Sequence, residues 1–233
     1  MKERALEYLQ RNSVMYMAMI CPIRRNTADI IYAGQDGVFI KDSESGVYML
    51  AVNNFDMGRK LVDEAGRQAH ICVYQKGVAD YIYEKHGHRK YVENLQAVYM
   101  KAEYVEINAR ILEIKPLALI HLDWVYQHYR DHLDYNYLKM RLEYGAIYGG
   151  YLNGELCGFA GTHTDGSMGI FKVLEKFRGR GFAVEIWSSM VNILLDSGEI
   201  PFSQIEYDNE ASINLHKKLG FEISKATLYR LID

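Results

Sequence analysis

The stretch Phe171-Lys-Val-Leu-Glu-Lys-Phe-Arg-Gly-Arg-Gly-Phe-Ala183 decides the fold of this 233-residue chain. Its apolar start predicts a buried strand, the glycines that follow predict a turn, and Phe182–Leu195 has the apolar spacing of a helix. A Gly-rich turn between a strand and a helix directs several backbone N–H groups and the positive helix end at one place. That arrangement suits a pyrophosphate, and Arg178 and Arg180 add positive charge at its mouth.

Two common phosphate-binding motifs fit this stretch less well. The chain has no G-x-x-x-x-G-K-[ST] sequence, and Arg-Gly-Arg-Gly lacks the spacing of G-x-G-x-x-G. Taken alone, the stretch is also compatible with a basic surface turn in front of a core helix. Gly179 and Gly181 fit a binding loop, because glycine lets a ligand approach closely and adopts backbone torsions that other residues resist.

The pattern resembles the signature of the GNAT superfamily of N-acetyltransferases, [Q/R]-x-x-G-x-[G/A], with Arg178, Gly181 and Ala183 at its fixed positions. A second stretch, Asn209-Glu-Ala-Ser-Ile-Asn-Leu-His-Lys-Lys-Leu-Gly-Phe221, resembles the N-x-x-A-x-x-x-Y-x-K-x-G-F pattern that follows the family's fifth strand. The resemblance covers about residues 109–233. It implies an α/β (α+β) fold with mixed, mostly antiparallel sheets flanked by helices, in which two splayed strands of the C-terminal half bind coenzyme A.

The resemblance also implies that acetyl-CoA is the co-substrate, and it implies which residues bind it. Backbone N–H groups of the fourth strand would bind the pantetheine amide and stabilise the oxyanion of a tetrahedral intermediate. Asn209 would hydrogen-bond the pantetheine arm. The implied cofactor-binding residues are Lys172, Val173, Leu174, Arg178, Gly179, Arg180, Gly181, Phe182, Ala183, Asn209 and Ser212.

Three residues are candidates for proton transfer. His216 occupies the position where many family members have a tyrosine, the proposed acid for the departing thiolate, and an imidazole with a pKa of about 6.5 is also a competent acid. Simple packing of His216 on its helix face is the alternative. Several family members carry a glutamate base on the fourth strand, where this chain has Phe171 and Lys172. Glu206 and Asp208, at the end of the next strand, are the remaining candidates for the base, and a solvated strand end explains them as well.

The first half of the chain repeats the order of predicted elements found in the second half. Gly220 follows Gly87 by 133 residues, and the same shift pairs Tyr207 with Tyr74 on a matching strand–helix unit. These matches favour a tandem duplication with a boundary near Glu106. Glycine N-acyltransferase-like proteins resemble this arrangement, because they pair a degenerate half with an active one.

The boundary predicts a degenerate GNAT-like domain at 1–106 and a catalytic domain at 107–233. The stretch Val52–Arg59 aligns with the Gly-rich turn of the second half but has a single glycine and an acidic Asp56. A carboxylate there would satisfy the helix N-terminus and repel a phosphate. Lys76 aligns with Asn209, so the first domain is predicted to bind no cofactor and one CoA is expected per chain.

Composition excludes several other classes of protein. The formal net charge of −3 lacks the basic excess of a nucleic-acid binder. Cys21, Cys72 and Cys157 have no metal or disulfide spacing, which fits a reducing cytoplasm. The apolar run Val14–Ile20 is too short to span a membrane, and it predicts part of a buried helix capped by Ser13.

Histidines and tyrosines of the second half offer weaker signals. His128 and His132 are one helical turn apart, but no third ligand is evident, so the sequence predicts no metal site. Aromatic side chains cluster in the region that roofs the acceptor site in GNAT proteins, and core packing explains them equally well. The tyrosines of this cluster are Tyr126, Tyr129, Tyr135, Tyr137 and Tyr144.

The sequence therefore predicts a cytoplasmic N-acyltransferase that moves an acetyl group to a primary amine by direct attack on the thioester. The expected acceptor is a small-molecule or amino-acid-like amine, with no nucleic acid and no membrane as partner, and a homodimer stays open. The alternative is a non-catalytic acyl-CoA-binding sensor or scaffold, which the absent fourth-strand glutamate and the histidine at the tyrosine position favour.

Overall fold

The structure is a computed structural model, and it describes residues 1–107, 110–129 and 133–233. Short 3₁₀ turns lie at Gln10–Asn12, Leu119–His121 and Glu175–Phe177. The helices are α1 (Lys2–Leu9), α2 (Met17–Arg25), α3 (Phe55–Ala65), α4 (Lys76–His86), α5 (Leu122–Tyr129), α6 (Tyr135–Glu143), α7 (Phe182–Asp196) and α8 (Glu210–Lys218). The strands are β1 (Ala28–Ala33), β2 (Gly37–Asp42), β3 (Tyr48–Val52), β4 (His70–Val73), β5 (Lys90–Val98), β6 (Glu113–Pro116), β7 (Ile147–Leu152), β8 (Glu155–Thr162), β9 (Met168–Val173), β10 (Phe202–Glu206) and β11 (Glu222–Ile232).

The order of elements repeats along the chain, as the sequence predicts. Two helices, three strands, a helix, a strand, a helix and a strand run from α1 to β5, and the same order runs from α5 to β11. The second series is preceded by one additional strand, β6. Each series therefore has the succession of elements that the predicted GNAT-like halves require.

The strands form two sheets, of orders β1-β2-β3-β4-β11-β5-β10 and β6-β7-β8-β9. In the first sheet β3 and β4 are parallel, whereas β1–β2, β2–β3, β4–β11 and β11–β5 are antiparallel. All three pairs of the second sheet are antiparallel. The predicted α/β class with mixed, mostly antiparallel sheets is confirmed. The strands β9 and β10, which the resemblance predicts to splay, are each the last strand of a different sheet.

The last strand of the chain lies inside the sheet of the first half. β11 pairs with β4 on one side, where Tyr229 faces Val73, and with β5 on the other, where Tyr229 faces Glu93. By contacts the chain forms two compact units, one of Met1–Val98, Gln204–Ile213 and Glu222–Asp233, the other of Tyr99–Ser203 and Asn214–Phe221. We call them unit 1 and unit 2. The boundary near Glu106 divides the chain by its repeat rather than by contacts, and it stays a prediction.

Each unit has its own apolar core. In unit 1, α3 and α4 pack closely because position 58 is a glycine, where a Cβ would lie 2.6 Å from a methyl group of Val78. The core beneath them includes Phe39, Leu50, Val62, Ile71, Val73, Val78, Ile82 and Leu231. In unit 2, α5 and α6 cover a core of Leu117, Leu122, Val125, Leu138, Leu142, Ile147, Phe159 and Ile170.

The start of the second helix differs from the prediction. Ser13 does not cap it, because a 3₁₀ turn precedes Ser13 and α2 begins only at Met17. The N-cap residue of α2 is Tyr16, which makes no side-chain cap bond, and in the preceding turn the Met15 N–H donates to Asn12 Oδ1 at 3.2 Å. The helix is buried as predicted, with Met17, Ala18, Met19 and Ile20 at most 2% exposed.

Candidate functional site

An eight-residue loop joins β9, which ends at Val173, to α7, which begins at Phe182. After its 3₁₀ turn, the loop passes through Gly179 and Gly181, whose φ angles are +74° and +84°. A Cβ at either position would meet no atom within 4 Å, so it is the left-handed torsion, not packing, that requires glycine. The torsional reason given for these two glycines from the sequence agrees with the structure.

The N-terminus of α7 is open to a ligand. Its N-cap residue, Gly181, has no side chain to accept a hydrogen bond. The first backbone bonds are made by Val184 and Glu185, whose N–H groups donate to the Gly181 carbonyl at 3.0 and 3.2 Å. The N–H groups of Phe182 and Ala183 precede these bonds and point out of the helix end. An uncapped N-terminus with outward N–H groups is a ready site for an anion.

Two arginines are held beside this helix end. Arg178 folds back over the loop, where its Nε donates to the Val173 carbonyl at 3.2 Å and its guanidinium lies 3.7 Å from the Glu175 carboxylate. The Arg180 guanidinium stacks 4.8 Å from the ring centroid of Phe182. Both side chains thus keep a positive charge at the mouth of the loop, where the sequence predicts a pyrophosphate.

The open edge of β9 offers one backbone donor close to the loop. The Leu174 N–H already donates to the Cys157 carbonyl at 3.0 Å, and Lys172 faces Phe159 in the ladder with β8. Hydrogen-bonded positions alternate along an antiparallel pair, so Val173 turns its N–H away from β8. Since β9 is the last strand of its sheet, that N–H faces an unpaired edge. Of the three strand residues predicted to bind the cofactor, Val173 has a backbone N–H that is available to a ligand. The Leu174 N–H is not available, because it already donates to Cys157.

A distortion lies in the middle of β9. The register with β8 shifts between Phe159 and Gly161, and Ile170 has a φ of +49° although it is β-branched and fully buried. Such a torsion costs about 1–3 kcal/mol and persists only where surrounding packing imposes it. Strain of this kind is concentrated at functional sites, and here it lies three residues before Val173.

His216 is buried, not exposed to a cleft. The side chain is 2% exposed, and its Nε2 shares a hydrogen bond with Ser203 Oγ at 3.0 Å. Its ring packs edge-on between Trp187, at 5.3 Å, and Phe221, at 4.8 Å. This environment favours the packing interpretation of His216, and its role as general acid stays a prediction.

The predicted residues around α8 belong to unit 1 and lie at the surface. Glu206 and Asp208 are exposed, and neither forms an ion pair with a described residue. Asn209 caps α8, since its Oδ1 accepts the Ser212 N–H at 3.0 Å. The Nδ2 group of Asn209 is left to donate to a ligand carbonyl. Ser212 is therefore engaged through its backbone at the cap.

The Gly-rich loop has no counterpart in the first half. Only two residues, Asn53 and Asn54, link β3 to α3, and the Asn54 side chain caps the helix by accepting the Met57 N–H at 2.9 Å. The expected cap, Asp56, is wrong: its side chain is 86% exposed and lies 3.6 Å from Arg59. The cap is an amide two residues earlier, and it fills the helix end without adding charge.

The edge of β3 next to this connection also offers no available donor at Val52. β3 and β4 pair in parallel from Tyr48 to Leu50, and the Val52 N–H donates to Gln75 Oε1 at 3.0 Å. The Gln75 side chain therefore accepts the N–H at the end of β3, whereas the N–H at the end of β9, that of Val173, is available to a ligand. Lys76, the residue aligned with Asn209, begins α4 and pairs with Asp80 at 2.8 Å.

The sequence also raised histidines and cysteines as possible metal ligands. Within the described ranges, no three His, Cys, Asp or Glu side chains are grouped to hold a metal ion. His128 bonds through Nδ1 to the Trp124 carbonyl at 2.7 Å, and His132 lies outside the described residues. All three cysteines are buried and none is in a disulfide, and burial raises the pKa of the Cys157 thiol. No helix in the described part of the chain is long and apolar enough to cross a membrane.

The aromatic cluster of α5 and α6 serves mainly as packing. Tyr126, Tyr129 and Tyr137 pack against the core of unit 2, whereas Tyr144 is 78% exposed. A polar contact that no sequence motif signals joins Tyr137 Oη to His163 Nδ1 at 3.1 Å. Sequence reasoning also missed Trp187, because an aromatic residue on an apolar helix face is indistinguishable from ordinary core.

Comparisons with known proteins agree with this architecture. The model of a family described as FR47-like protein matches residues 143–230. A solved structure of a Drosophila protein superposes with a TM-score of 0.71 at 13% identity, covering 100% of this chain and 95% of that one. A GCN5-related N-acetyltransferase-like protein from Streptococcus suis matches with a TM-score of 0.56 at 16% identity, covering 97% and 99% of the two chains.

A tandem GNAT protein from the clavulanic acid biosynthesis pathway matches with a TM-score of 0.50 at 13% identity, covering 98% of this chain and 93% of that chain. No curated protein matches the chain. The matched structures named as GNAT or N-acetyltransferase-like proteins confirm the GNAT fold that the resemblance implies. The protein has the GNAT fold, with two GNAT-like halves in one chain.

Proposed function

We propose that the protein is an acetyl-CoA-dependent N-acyltransferase that moves the acetyl group to a primary amine. One observation carries the proposal: an uncapped N-terminus of α7 follows two left-handed glycines, between two positioned arginines and beside the open edge of β9. The pyrophosphate of CoA matches the charge and the N–H groups of that loop. The matching fold and family model support the same class of reaction.

The Gly-rich loop and β9 would divide the work of binding. The N–H groups at Gly181–Ala183 bind the pyrophosphate, while Arg178 and Arg180 neutralise its charge. The Val173 N–H donates to the acyl-pantetheine arm at the open edge. Asn209 contributes its Nδ2 as a donor, because its Oδ1 is already used as a cap.

The reaction needs no protein nucleophile. The amine nitrogen attacks the thioester carbonyl carbon, a C–N bond forms, and collapse of the tetrahedral intermediate breaks the C–S bond and releases CoA. Proximity and oriented backbone N–H groups supply most of the acceleration. An alkyl amine with a pKa of about 10.4 is almost wholly protonated at neutral pH, so its proton must first leave. Glu206 and Asp208 are the candidates to accept it through water. The burial of His216 favours packing over protonation of the thiolate, and the two roles differ in the effect of His216→Ala on kcat.

A second function, a non-catalytic acyl-CoA sensor, is favoured by two specific observations. His216 is 2% exposed and hydrogen-bonded to Ser203, and β9 carries Lys172 at a position where family members place a glutamate. A turnover assay separates the two functions. The enzyme releases free CoA thiol with at least one member of a panel of amines and amino acids, whereas the sensor binds acetyl-CoA and releases none.

The same proposal includes an acceptor and a cellular location. A small-molecule or amino-acid-like amine is the proposed acceptor, and neither nucleic acid nor a membrane is a proposed partner. The three buried cysteines, none of them in a disulfide, support a reducing, cytoplasmic location. Mass spectrometry of the purified protein would identify a retained acyl-CoA and so the length of the acyl group.

A further inference from the structure

A buried hydrogen-bond donor on α7 has no partner. The Trp187 side chain is 3% exposed, and its Nε1 makes no hydrogen bond to any residue the structure describes. Indole nitrogen is a donor only, so no alternative protonation state satisfies it. Buried N–H groups without a partner are rare in folded proteins, and each calls for a missing acceptor.

Trp187 lies where a chain leaving the anion site would pass. Its ring centroid is 4.8 Å from that of Phe171 on β9 and 5.3 Å from that of His216. Phe171 precedes Val173 by two residues, and Trp187 follows the first residue of α7 by five. A ligand that starts at the loop and follows the open edge of β9 therefore meets the Val173 N–H first and the Phe171–Trp187 pair next.

The surroundings of the indole restrict the kind of acceptor. The rings beside Trp187 are those of Phe171 and His216, and an apolar environment strengthens a hydrogen bond to a neutral acceptor while it penalises a charged one. The acyl-pantetheine arm is apolar except for its amide groups and the thioester. Each of these presents a neutral carbonyl oxygen.

We propose that Trp187 is a binding residue whose Nε1–H donates a hydrogen bond to a carbonyl oxygen of the acyl-pantetheine arm. The inference rests on the proposed function, since it requires the donor to bind along β9. In the free protein the donor stays unpaired, so removing it costs the fold no hydrogen bond. In the complex its removal costs one bond.

The test uses Trp187→Phe, which keeps an aromatic ring and removes the N–H. Its matched control is Ser188→Ala, because Ser188 is fully buried and its Oγ also has no partner. Calorimetry on the full chain should show acetyl-CoA binding about fivefold to tenfold weaker in Trp187→Phe and within twofold of the parent in Ser188→Ala. A loss seen with CoA and acetyl-CoA alike places the bond on a pantetheine amide, and a loss seen only with acetyl-CoA places it on the thioester.

A second measurement does not depend on how well Trp187→Phe folds. The chain has two tryptophans, so Trp124→Phe leaves Trp187 as the sole indole emitter, and its emission should shift on titration with acetyl-CoA. Parent-like affinity for acetyl-CoA in Trp187→Phe, or an unchanged emission of Trp187 in a variant that binds acetyl-CoA, overturns the inference and leaves the proposed function standing. A parent protein that binds no acyl-CoA overturns both.

Discussion

Replacing Gly181 with glutamate tests the anion site at the start of α7. Gly181 has a φ of +84° and open space around its Cβ position, so the folded-state cost is torsional, about 1–2 kcal/mol. The new carboxylate at a helix N-terminus returns about 0.3–1 kcal/mol through the helix dipole. The variant should therefore fold, with a small net loss of stability.

Binding should suffer far more than folding. Two unit charges 4 Å apart near a protein surface repel by about 4 kcal/mol, and half of that effect already weakens binding about thirtyfold. The carboxylate also takes the N–H groups of Phe182 and Ala183. We expect the Kd for CoA to rise at least thirtyfold in calorimetry, while thermal unfolding shows a folded protein.

Gly154→Glu is the matched control for this experiment. Gly154 has the same φ of +84° and the same open surroundings, but it lies between β7 and β8. The Gly154→Glu variant introduces the same backbone strain and the same charge away from the Gly-rich loop, so its CoA affinity should stay within twofold of the parent. The assignment of the loop is refuted if Gly181→Glu stays folded and binds CoA as tightly as Gly154→Glu does.

Three further outcomes can be measured on the same protein. His216→Ala should lower stability by about 2–3 kcal/mol, because a buried ring and its hydrogen bond with Ser203 are lost, and should leave kcat of the folded fraction within threefold; a hundredfold fall in kcat at normal stability would instead support a role as general acid. Because burial raises the pKa of Cys157 and encloses all three thiols, a thiol reagent should detect none in the native protein and three in denaturant, and native reactivity would contradict this. Calorimetry should give one CoA per chain, because Asn54 and Gln75 close the first half, and two equivalent sites would be inconsistent with those contacts.

The loop could be predicted from sequence because its requirements are local. Left-handed glycines, arginines and an apolar helix follow one another within thirteen residues, and each restricts the backbone near its own position. The order of elements was predictable for the same reason. The residue that caps a helix was harder to predict. Asn54 and Asp56 both suit a helix start, and only the backbone direction decides which of them accepts the Met57 N–H.

The features that sequence could not supply depend on contacts between distant residues. The motif aligns His216 with a catalytic position, but its burial depends on Ser203, Trp187 and Phe221, which the motif does not contain. The repeat shows that both halves contain a last strand, but not which sheet receives it. Strand pairing of this kind depends on the whole chain, since a strand satisfies its hydrogen bonds equally well with any neighbour of suitable pattern.

The placement of β11 gives the first half a structural role that does not depend on a cofactor site of its own. β11 has neighbours on both sides, β4 and β5, and both come from the first half. Without that half, two rows of backbone donors and acceptors on an eleven-residue strand would lose their partners. β11 follows α8 after a short connection in which Gly220 has a φ of +83° and the Phe221 N–H donates to the His216 carbonyl at 3.0 Å. The helix that Asn209 caps is thus followed by a strand whose two neighbours, β4 and β5, belong to the first half, and this pairing is the structural role of that half.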